Sequence, residues 1–176
     1  MGNYVMIYCW VPANQWVSSG VAFEIRKDWK HKMQDYTWIS DRIIETTVRV
    51  LYRNYTIVGV NVLVEGKEQE REEFYWELQQ NMEKVSKTEN TTLAADFNGR
   101  IGNQPIEENI GPYGEQITSS NGATLSDFCA LNKFKIKKKT YFTDKCTWEA
   151  RGNTSIIDYI IIYDRLVSNI EEKNSF

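Results

Sequence analysis

The sequence predicts a mixed α/β fold in which a helix packs on a sheet. Several segments alternate apolar, β-branched and aromatic residues with polar ones, which is the pattern of half-buried strands. Between residues 68 and 85 the apolar spacing changes to that of a helix. Residues 156–163 form an almost continuous apolar run, which is typical of a buried strand. Because strands and a helix alternate along the chain, we expect layers of both around a common core.

Length and composition indicate one domain. With 176 residues, 41% hydrophobic and 26% charged, the chain is large enough for one buried core and too short for two, so we expect a single domain over residues 1–176. The net charge of −3 argues against a protein that holds nucleic acid by overall charge, so any DNA contact must be local. No stretch approaches the roughly 18 apolar residues of a membrane span, and we expect a soluble, intracellular protein.

The N-terminal half reads as two pairs of strands. Tyr4–Trp10 and Val21–Ile25 flank turn-like residues and predict a hairpin. The β-branched segments Ile43–Leu51 and Tyr55–Val64 predict adjacent antiparallel strands, joined by a turn at residues 53–54.

The chain then changes to helical spacing. Phe74, Leu78, Met82 and Val85 follow one another at intervals of four, four and three residues, which predicts a helix over residues 68–85. This helix leads into a short strand, Thr91–Ala95, and should pack against the sheet.

The C-terminal half mixes loops with short elements. Glycines, prolines and asparagines between Gly99 and Gly122 predict a long loop, and long loops in compact domains are often functional. We expect a short helix at Leu125–Leu131, short strands at Lys133–Phe142 and Cys146–Glu149, and a longer strand over residues 156–163.

An acid and an amide stand two residues apart where the strand Thr91–Ala95 ends. Alternation along a strand places Asp96 and Asn98 on the same face. An ionisable acid beside a carboxamide at the end of a buried strand costs free energy unless something binds there. The pattern points to phosphoester chemistry.

A second acid interrupts the apolar run of residues 156–163. Asp158 lies among seven apolar residues, and a buried carboxylate is destabilising unless it is paired or used. It is either a structural acid that accepts backbone hydrogen bonds or part of a site with Asp96.

The remaining reactive side chains carry weaker signals. Cys9, Cys129 and Cys146 are odd in number and lack the spacing of a zinc site, so we expect reduced thiols. His31, the only histidine, has basic neighbours that predict a surface position.

Basic and aromatic residues offer possible contacts to nucleic acid. The densest basic cluster either contacts DNA phosphates or blunts an exposed strand edge; it consists of Lys133, Lys135, Lys137, Lys138 and Lys139. Arg100, which follows the Asp96–Asn98 pair, is the better candidate for a phosphate contact. Trp148 either stacks on a base or belongs to the core.

The two acidic motifs together resemble the endonuclease/exonuclease/phosphatase family, and most closely its retrotransposon (LINE-type) branch. Ala95-Asp96-Phe97-Asn98 and Ser155-Ile156-Ile157-Asp158-Tyr159-Ile160 are similar to the D-x-N and S-x-I-D-Y-I motifs of that branch. Shorter stretches that also match are Ser40–Ile43, Val64–Glu68, Gly102–Pro105, Asn121–Leu125, Asp127–Cys129 and Asn132. The similarity runs from about Tyr4 to about Leu166.

The resemblance implies a four-layer α/β sandwich that hydrolyses DNA phosphodiesters with a divalent metal, Mg²⁺ or Mn²⁺. Asp96 would orient or deprotonate the attacking water or help bind the metal, and Asn98 would contact a phosphate oxygen or the metal. Asp158 would fix a catalytic histidine. Ser155, Trp148 and Arg100 would contact substrate. The expected partner is DNA, in the nucleus, with no membrane and no obligate protein partner.

Departures from the family pattern lower the expected activity. The matching region begins downstream of the family's active-site Asn and metal-binding Glu and ends before its terminal Asp-His pair, so we expect a domain that is incomplete at both ends. Asn61 and Leu63 stand where the branch has Tyr and Pro. We therefore expect activity to be weak or lost, and two alternatives stay open: a phosphatase of the same fold and a non-catalytic binding module.

Overall fold

The computed structural model describes residues 3–10, 19–85, 90–102, 115–137 and 146–163. Two α-helices lie in these ranges, α1 (Glu68–Lys84) and α2 (Ser120–Asn132), with a 3-10 helix at Lys27–Lys32. The strands are β1 (Tyr4–Trp10), β2 (Gly20–Arg26), β3 (Met33–Trp38), β4 (Ile43–Val50), β5 (Arg53–Asn61), β6 (Asn90–Asp96), β7 (Phe134–Lys137), β8 (Trp148–Ala150), β9 (Asn153–Ser155) and β10 (Asp158–Tyr163).

Six strands form the central sheet, in the order β3-β4-β5-β6-β10-β7. Strands β5 and β6 are parallel, because α1 carries the chain back across the sheet between them, and the other neighbours are antiparallel. The hairpin β1–β2 and the pair β8–β9 are separate two-stranded sheets. The mixed α/β class predicted from the sequence is confirmed.

The helical face of the sheet carries the main core. Leu78 of α1 is fully buried and belongs to the same apolar cluster as Val58, Leu93 and Ile161 from the three middle strands. The four apolar residues used to predict α1 are all buried, as an amphipathic helix requires.

The opposite face of the sheet is partly covered by the β1–β2 hairpin. Ile7 and Cys9 of β1 join Ile44 of β4 in a second, smaller apolar cluster. At Gly59 of β5 a Cβ atom would lie 2.9 Å from Val21 Cγ1, so glycine lets the hairpin approach the sheet closely.

Several element boundaries differ from the prediction. The β4–β5 turn lies at Leu51 and Tyr52, with Leu51 in the left-handed region (φ 56°), whereas Arg53 already pairs with Val50. Helix α2 begins five residues before the predicted Leu125, because the Ser119 side chain caps its N-terminus by accepting from the Gly122 N–H. Strands β3 and β9 and the 3-10 helix were not predicted, because their residues are mostly polar. Residues 138–142 of the predicted strand Lys133–Phe142 lie outside the described ranges.

Two further observations concern cysteines and membranes. Cys9, Cys129 and Cys146 are free thiols. Within the described ranges, no helix is long and apolar enough to span a membrane.

Candidate active site

Three polar residues form a row across the middle of the sheet. Asp96, the last residue of β6, is in register with Asn61 of β5 on one side and with Asp158 of β10 on the other. Residues directly opposite each other on paired strands project from the same face. The two acids, which belong to separate sequence motifs, therefore lie side by side where the inner strands β6 and β10 meet, at the end of β6 and the start of β10.

The Asp96 carboxyl group is half-buried and carries a raised pKa. Burial is the main cause, and the negative charge of Asp158 raises the pKa further. A hydrogen bond from the Asn98 backbone N–H to Asp96 Oδ1, 2.8 Å long, acts in the opposite direction. A cation beside the two carboxylates would relieve their repulsion.

Asn98 is held at both its backbone and its side chain. Its backbone adopts a left-handed conformation (φ 45°), which asparagine tolerates better than most residues. Its side-chain Nδ2 donates to the carbonyl oxygen of Val62, over 2.7 Å. The contact to phosphate or metal predicted for Asn98 stays a prediction.

Asp158 is exposed, which corrects the expectation of a buried carboxylate. Strand β10 begins at Asp158 and not at Ile156. The Asp158 side chain therefore lies at the first position of the strand, beside Asp96. Thr147, which the sequence analysis did not single out, fixes this position: its Oγ1 accepts from the N–H groups of Ile157 (3.0 Å) and Asp158 (3.2 Å). His31 is exposed in the 3-10 helix, as its basic neighbours predicted.

The three predicted substrate contacts differ in accessibility. The Ser155 hydroxyl is buried and donates to Glu115 Oε1 (2.6 Å), so a contact with substrate would require Glu115 to move. Arg100 is half-exposed and lies 4.0 Å from Glu115 Oε2 through its Nε. Trp148 on β8 is 40% exposed. Their roles in binding stay predictions.

A buried tyrosine ties the loop after Asn98 to β10. The Tyr159 hydroxyl lies 3.0 Å from the carbonyl oxygen of Gly99 and 2.7 Å from that of Ile156, and it accepts from the Ile101 N–H. Burial raises the pKa of this hydroxyl, so it stays protonated. We infer a structural role for Tyr159. In the sequence, the only signal of this role is the position of Tyr159 directly after Asp158.

The donor set suits a hard divalent cation that is shared with substrate. Among the described residues, no three His, Cys, Asp or Glu side chains converge on one point. Asp96 and Asp158 provide two carboxylates, and Mg²⁺ commonly takes one or two carboxylates, several waters and the phosphates of its substrate. The two carboxylates therefore fit such a cation, and the role of Asn98 as a further oxygen donor stays a prediction.

The basic residues near the sheet edges are only partly available. Among the described strands, β7, which carries Lys135, lies at an edge of the sheet, in agreement with the alternative interpretation of the lysine cluster. Lys138 and Lys139 lie outside the described ranges. A second group of basic residues lies at and around the 3-10 helix, at Arg26, Lys27, Lys30 and Lys32, and there Arg26 forms an ion pair with Asp28 (2.7 Å).

No protein-family model matches the chain. Two curated relatives, both named craniofacial development protein 2, come from Tragulus javanicus and Bos taurus and are 27% and 26% identical over 160 residues. The alignments cover 87% of this chain, and the chain spans only 28% and 27% of the length of these relatives.

Solved structures match a larger share of this chain, and of their own length, than the curated relatives do. The endonuclease domain of TRAS1, a telomere-specific non-LTR retrotransposon, matches with a TM-score of 0.67 at 12% identity, over 96% of this chain and 70% of that domain. The 3′-5′ exonuclease NExo from Neisseria meningitidis matches with a TM-score of 0.63 at 16% identity, over 94% and 70%. An endonuclease/exonuclease/phosphatase family protein from Leptotrichia buccalis matches with a TM-score of 0.54 at 14% identity, over 90% and 60%. Together with the two acids in register on β6 and β10, these likenesses show that the chain has the endonuclease/exonuclease/phosphatase fold.

Proposed function

We propose that this site hydrolyses phosphodiester bonds in DNA with the help of a divalent cation. The observation that carries the proposal is the carboxylate pair Asp96 and Asp158, in register on neighbouring strands beside Asn98. Support comes from proteins of the same fold, since TDP2 from D. rerio has been solved with a single-stranded DNA product and NExo with a product DNA hairpin. The likeness to the TRAS1 domain supports a retrotransposon-derived endonuclease that acts in the nucleus.

Each residue of the site has a role in this proposal. Asp96 orients the attacking water and accepts its proton, because its carboxylate lies at the end of β6, in register with Asp158 and bound to the Asn98 N–H. Asn98 contacts the phosphate oxygen that gains charge in the transition state. Asp158 helps to hold the cation, and Arg100 contacts a neighbouring phosphate. The cation, Mg²⁺ or Mn²⁺, stabilises charge on the phosphoryl group when bound.

We expect the rate to be low. The described residues supply two carboxylates, one amide and the Arg100 guanidinium, and a single missing electrostatic contact typically costs about 3 kcal/mol of transition-state stabilisation. If the metal-binding Glu and the catalytic histidine that the family resemblance implies make no contribution, the loss of these two contacts corresponds to a rate about 10⁴-fold lower.

A plasmid-nicking assay with Mg²⁺ tests the proposal. The wild-type chain is compared with Asp96→Asn and Asp158→Asn, and with Asp127→Asn as a matched control, because Asp127 is an exposed aspartate on α2 outside the row. We expect both site variants to lose nicking and the control to retain it. Equal nicking by all four proteins would indicate a contaminating nuclease and refute the proposal, as would no nicking by the wild type.

The alternatives are separated by two further measurements. One structure of NExo describes it as a 3′ phosphatase, so release of phosphate from a 3′-phosphorylated oligonucleotide without nicking would favour the phosphatase. DNA binding that weakens with salt, without hydrolysis of either substrate, would favour a binding module.

A further inference from the structure

A fully buried asparagine connects the candidate site to both helices. The Asn121 side chain donates through Nδ2 to the carbonyl oxygens of Leu63 (2.7 Å) and Asn98 (2.9 Å). Its Oδ1 accepts from Arg71 Nη1 over 2.7 Å. Both hydrogens of the amide are therefore used. One of them binds the backbone of residues 96–98, where the Asn98 N–H turns back to Asp96 Oδ1; we call this segment the Asp96–Asn98 turn.

Arg71 determines which way this amide faces. A guanidinium group only donates hydrogen bonds, so it requires the amide oxygen, and the NH₂ group must then face the two carbonyls. Arg71 is itself buried, its Nε has no hydrogen-bond partner, and in the described ranges no carboxylate lies within ion-pair distance of it. Burying a guanidinium is costly, which makes its one strong contact with Asn121 informative.

The Asp96–Asn98 turn is held by three hydrogen bonds in which Asn98 takes part. Asn98 donates from its backbone N–H to Asp96 and from its side chain to Val62, and its carbonyl oxygen accepts from Asn121. With the backbone of Asn98 in the left-handed region, the Asn121 contact holds the peptide group next to the Asn98 side chain, and the Asn98 N–H in turn binds Asp96 Oδ1.

Capping of α2 does not explain the Asn121 side chain. The Ser119 hydroxyl caps the helix, and Glu65 Oε1 accepts from the Asn121 backbone N–H over 3.0 Å. Burial alone would raise the pKa of Glu65, but the Ser119 hydroxyl, the Asn121 N–H and the charges of Arg71 and Arg100 together lower it. The Ser119 cap uses the Gly122 N–H, and the Glu65 contact uses only the backbone N–H of position 121, so neither involves the Asn121 side chain and the amide has a separate role.

We propose that Asn121 is a positioning residue: it acts through the Asn98 carbonyl to hold the Asp96–Asn98 turn, while Arg71 keeps its amide in the donating orientation. The inference rests on the proposed function for its consequence, a slower hydrolysis when the turn moves. The placement of the turn itself can be measured without any activity.

Hydrogen exchange of the Asn98 backbone amide, followed by NMR, reports directly on the turn. Exchange at Val58, in the middle of β5, serves as the reference for global unfolding. The test variant is Asn121→Leu combined with Arg71→Met, because replacing both partners by apolar side chains leaves neither side chain with an unpaired polar atom, and only the carbonyl oxygens of Leu63 and Asn98 lose a donor. Asn121→Asp is a second variant that replaces the hydrogen bond from Arg71 by an ion pair and loses both hydrogen bonds donated by the amide.

Two controls separate positioning from stability. Arg71→Met alone leaves the Asn121 donors in place. Asn132→Leu removes two hydrogen bonds at the other end of α2, where Asn132 Nδ2 donates to Gln79 Oε1 (2.8 Å) and to the Phe128 carbonyl oxygen (3.0 Å).

We expect Asn98 exchange to accelerate at least about tenfold more than Val58 exchange in the double variant and in Asn121→Asp, and by the same factor as Val58 in Asn132→Leu. Arg71→Met should give a smaller excess. Equal acceleration of Asn98 and Val58 in the Asn121 variants would overturn the proposal, since Asn121 would then only stabilise the fold.

The nicking assay adds a functional reading. Asn121→Asp should lower kcat about tenfold or more with KM little changed, because a displaced turn misaligns the reacting groups. A wild-type chain that does not nick DNA refutes the proposed function, whereas the exchange ratio still decides whether Asn121 positions the turn.

Discussion

Gly122 offers a direct test of the packing between α2 and the loop that carries the site. A Cβ atom at this position would lie 1.9 Å from the carbonyl oxygen of Arg100 and 2.6 Å from its carbonyl carbon. Favourable carbon–oxygen contacts are about 3.3–3.6 Å, so the helix or the loop would have to move by more than about 1 Å. The loop cannot yield freely, because the same Arg100 oxygen accepts from the Ser119 N–H over 3.0 Å.

The sign of the effect distinguishes this contact from helix propensity. Gly122→Ala should gain up to about 1 kcal/mol from propensity and lose about 3 kcal/mol from overpacking against backbone. We therefore expect a net loss of about 2 kcal/mol, which for a chain of this size lowers Tm by about 4–8 °C.

Urea unfolding and thermal melting, each followed by circular dichroism, measure the change. The matched control is Gly20→Ala, where the nearest atom to a new Cβ is the Cys9 carbonyl oxygen at an ordinary 3.5 Å, and where we expect a change within about 0.5 kcal/mol. If Gly122→Ala is as stable as the wild type, or more stable, α2 does not lie against the Arg100 loop and the reasoning is refuted.

Three further predictions concern the acid pair, the core and the cation. The folded state raises the pKa of Asp96, so the stability linked to this group is present below its unfolded pKa and is lost as pH rises through its folded pKa. The Asp96→Asn variant should therefore be more stable than the wild type at pH 7. A lower urea midpoint for the variant than for the wild type at this pH would contradict the prediction. Leu78→Ala should cost about 2–5 kcal/mol because Leu78 is fully buried, whereas Leu131→Ala, at a residue that is 73% exposed, should change the unfolding free energy by less than about 0.5 kcal/mol. Mg²⁺ at ten times its Kd should stabilise the wild type by about 1.4 kcal/mol and the Asp96→Asn variant by less, and an equal shift in both would place the cation elsewhere.

The elements with regular hydrophobic spacing were predictable from local sequence. Residues Phe74, Leu78 and Met82 carry the period of a helix, and Glu68–Lys84 is that helix. The strands Tyr4–Trp10 and Ile43–Val50 match their predicted ranges within one residue, because each presents a side-chain alternation or an apolar run that few other conformations satisfy.

Elements that depend on distant contacts were missed or shifted. Strand β3 is almost entirely exposed, so its residues carry no apolar alternation, and it forms because β4 offers an edge to pair with. The start of α2 depends on the Ser119 cap and on the contact of Gly122 with the Arg100 loop, and the polar composition of residues 119–122 hides both.

The sequence by itself determined the class of the fold and the two acids of the candidate site, because hydrophobic period and charged residues at strand ends are local properties. Only the tertiary structure decided that Asp96 and Asp158 are direct neighbours, that Asp158 is exposed, and that Ser155 is turned toward Glu115. It alone revealed the contacts of Asn121 with Arg71 and with the Asn98 carbonyl. The physical reason is that strand register and burial arise from packing between residues that are far apart in the chain, such as Asn98 and Asn121 at 23 positions or Ser155 and Glu115 at 40, which no local pattern records.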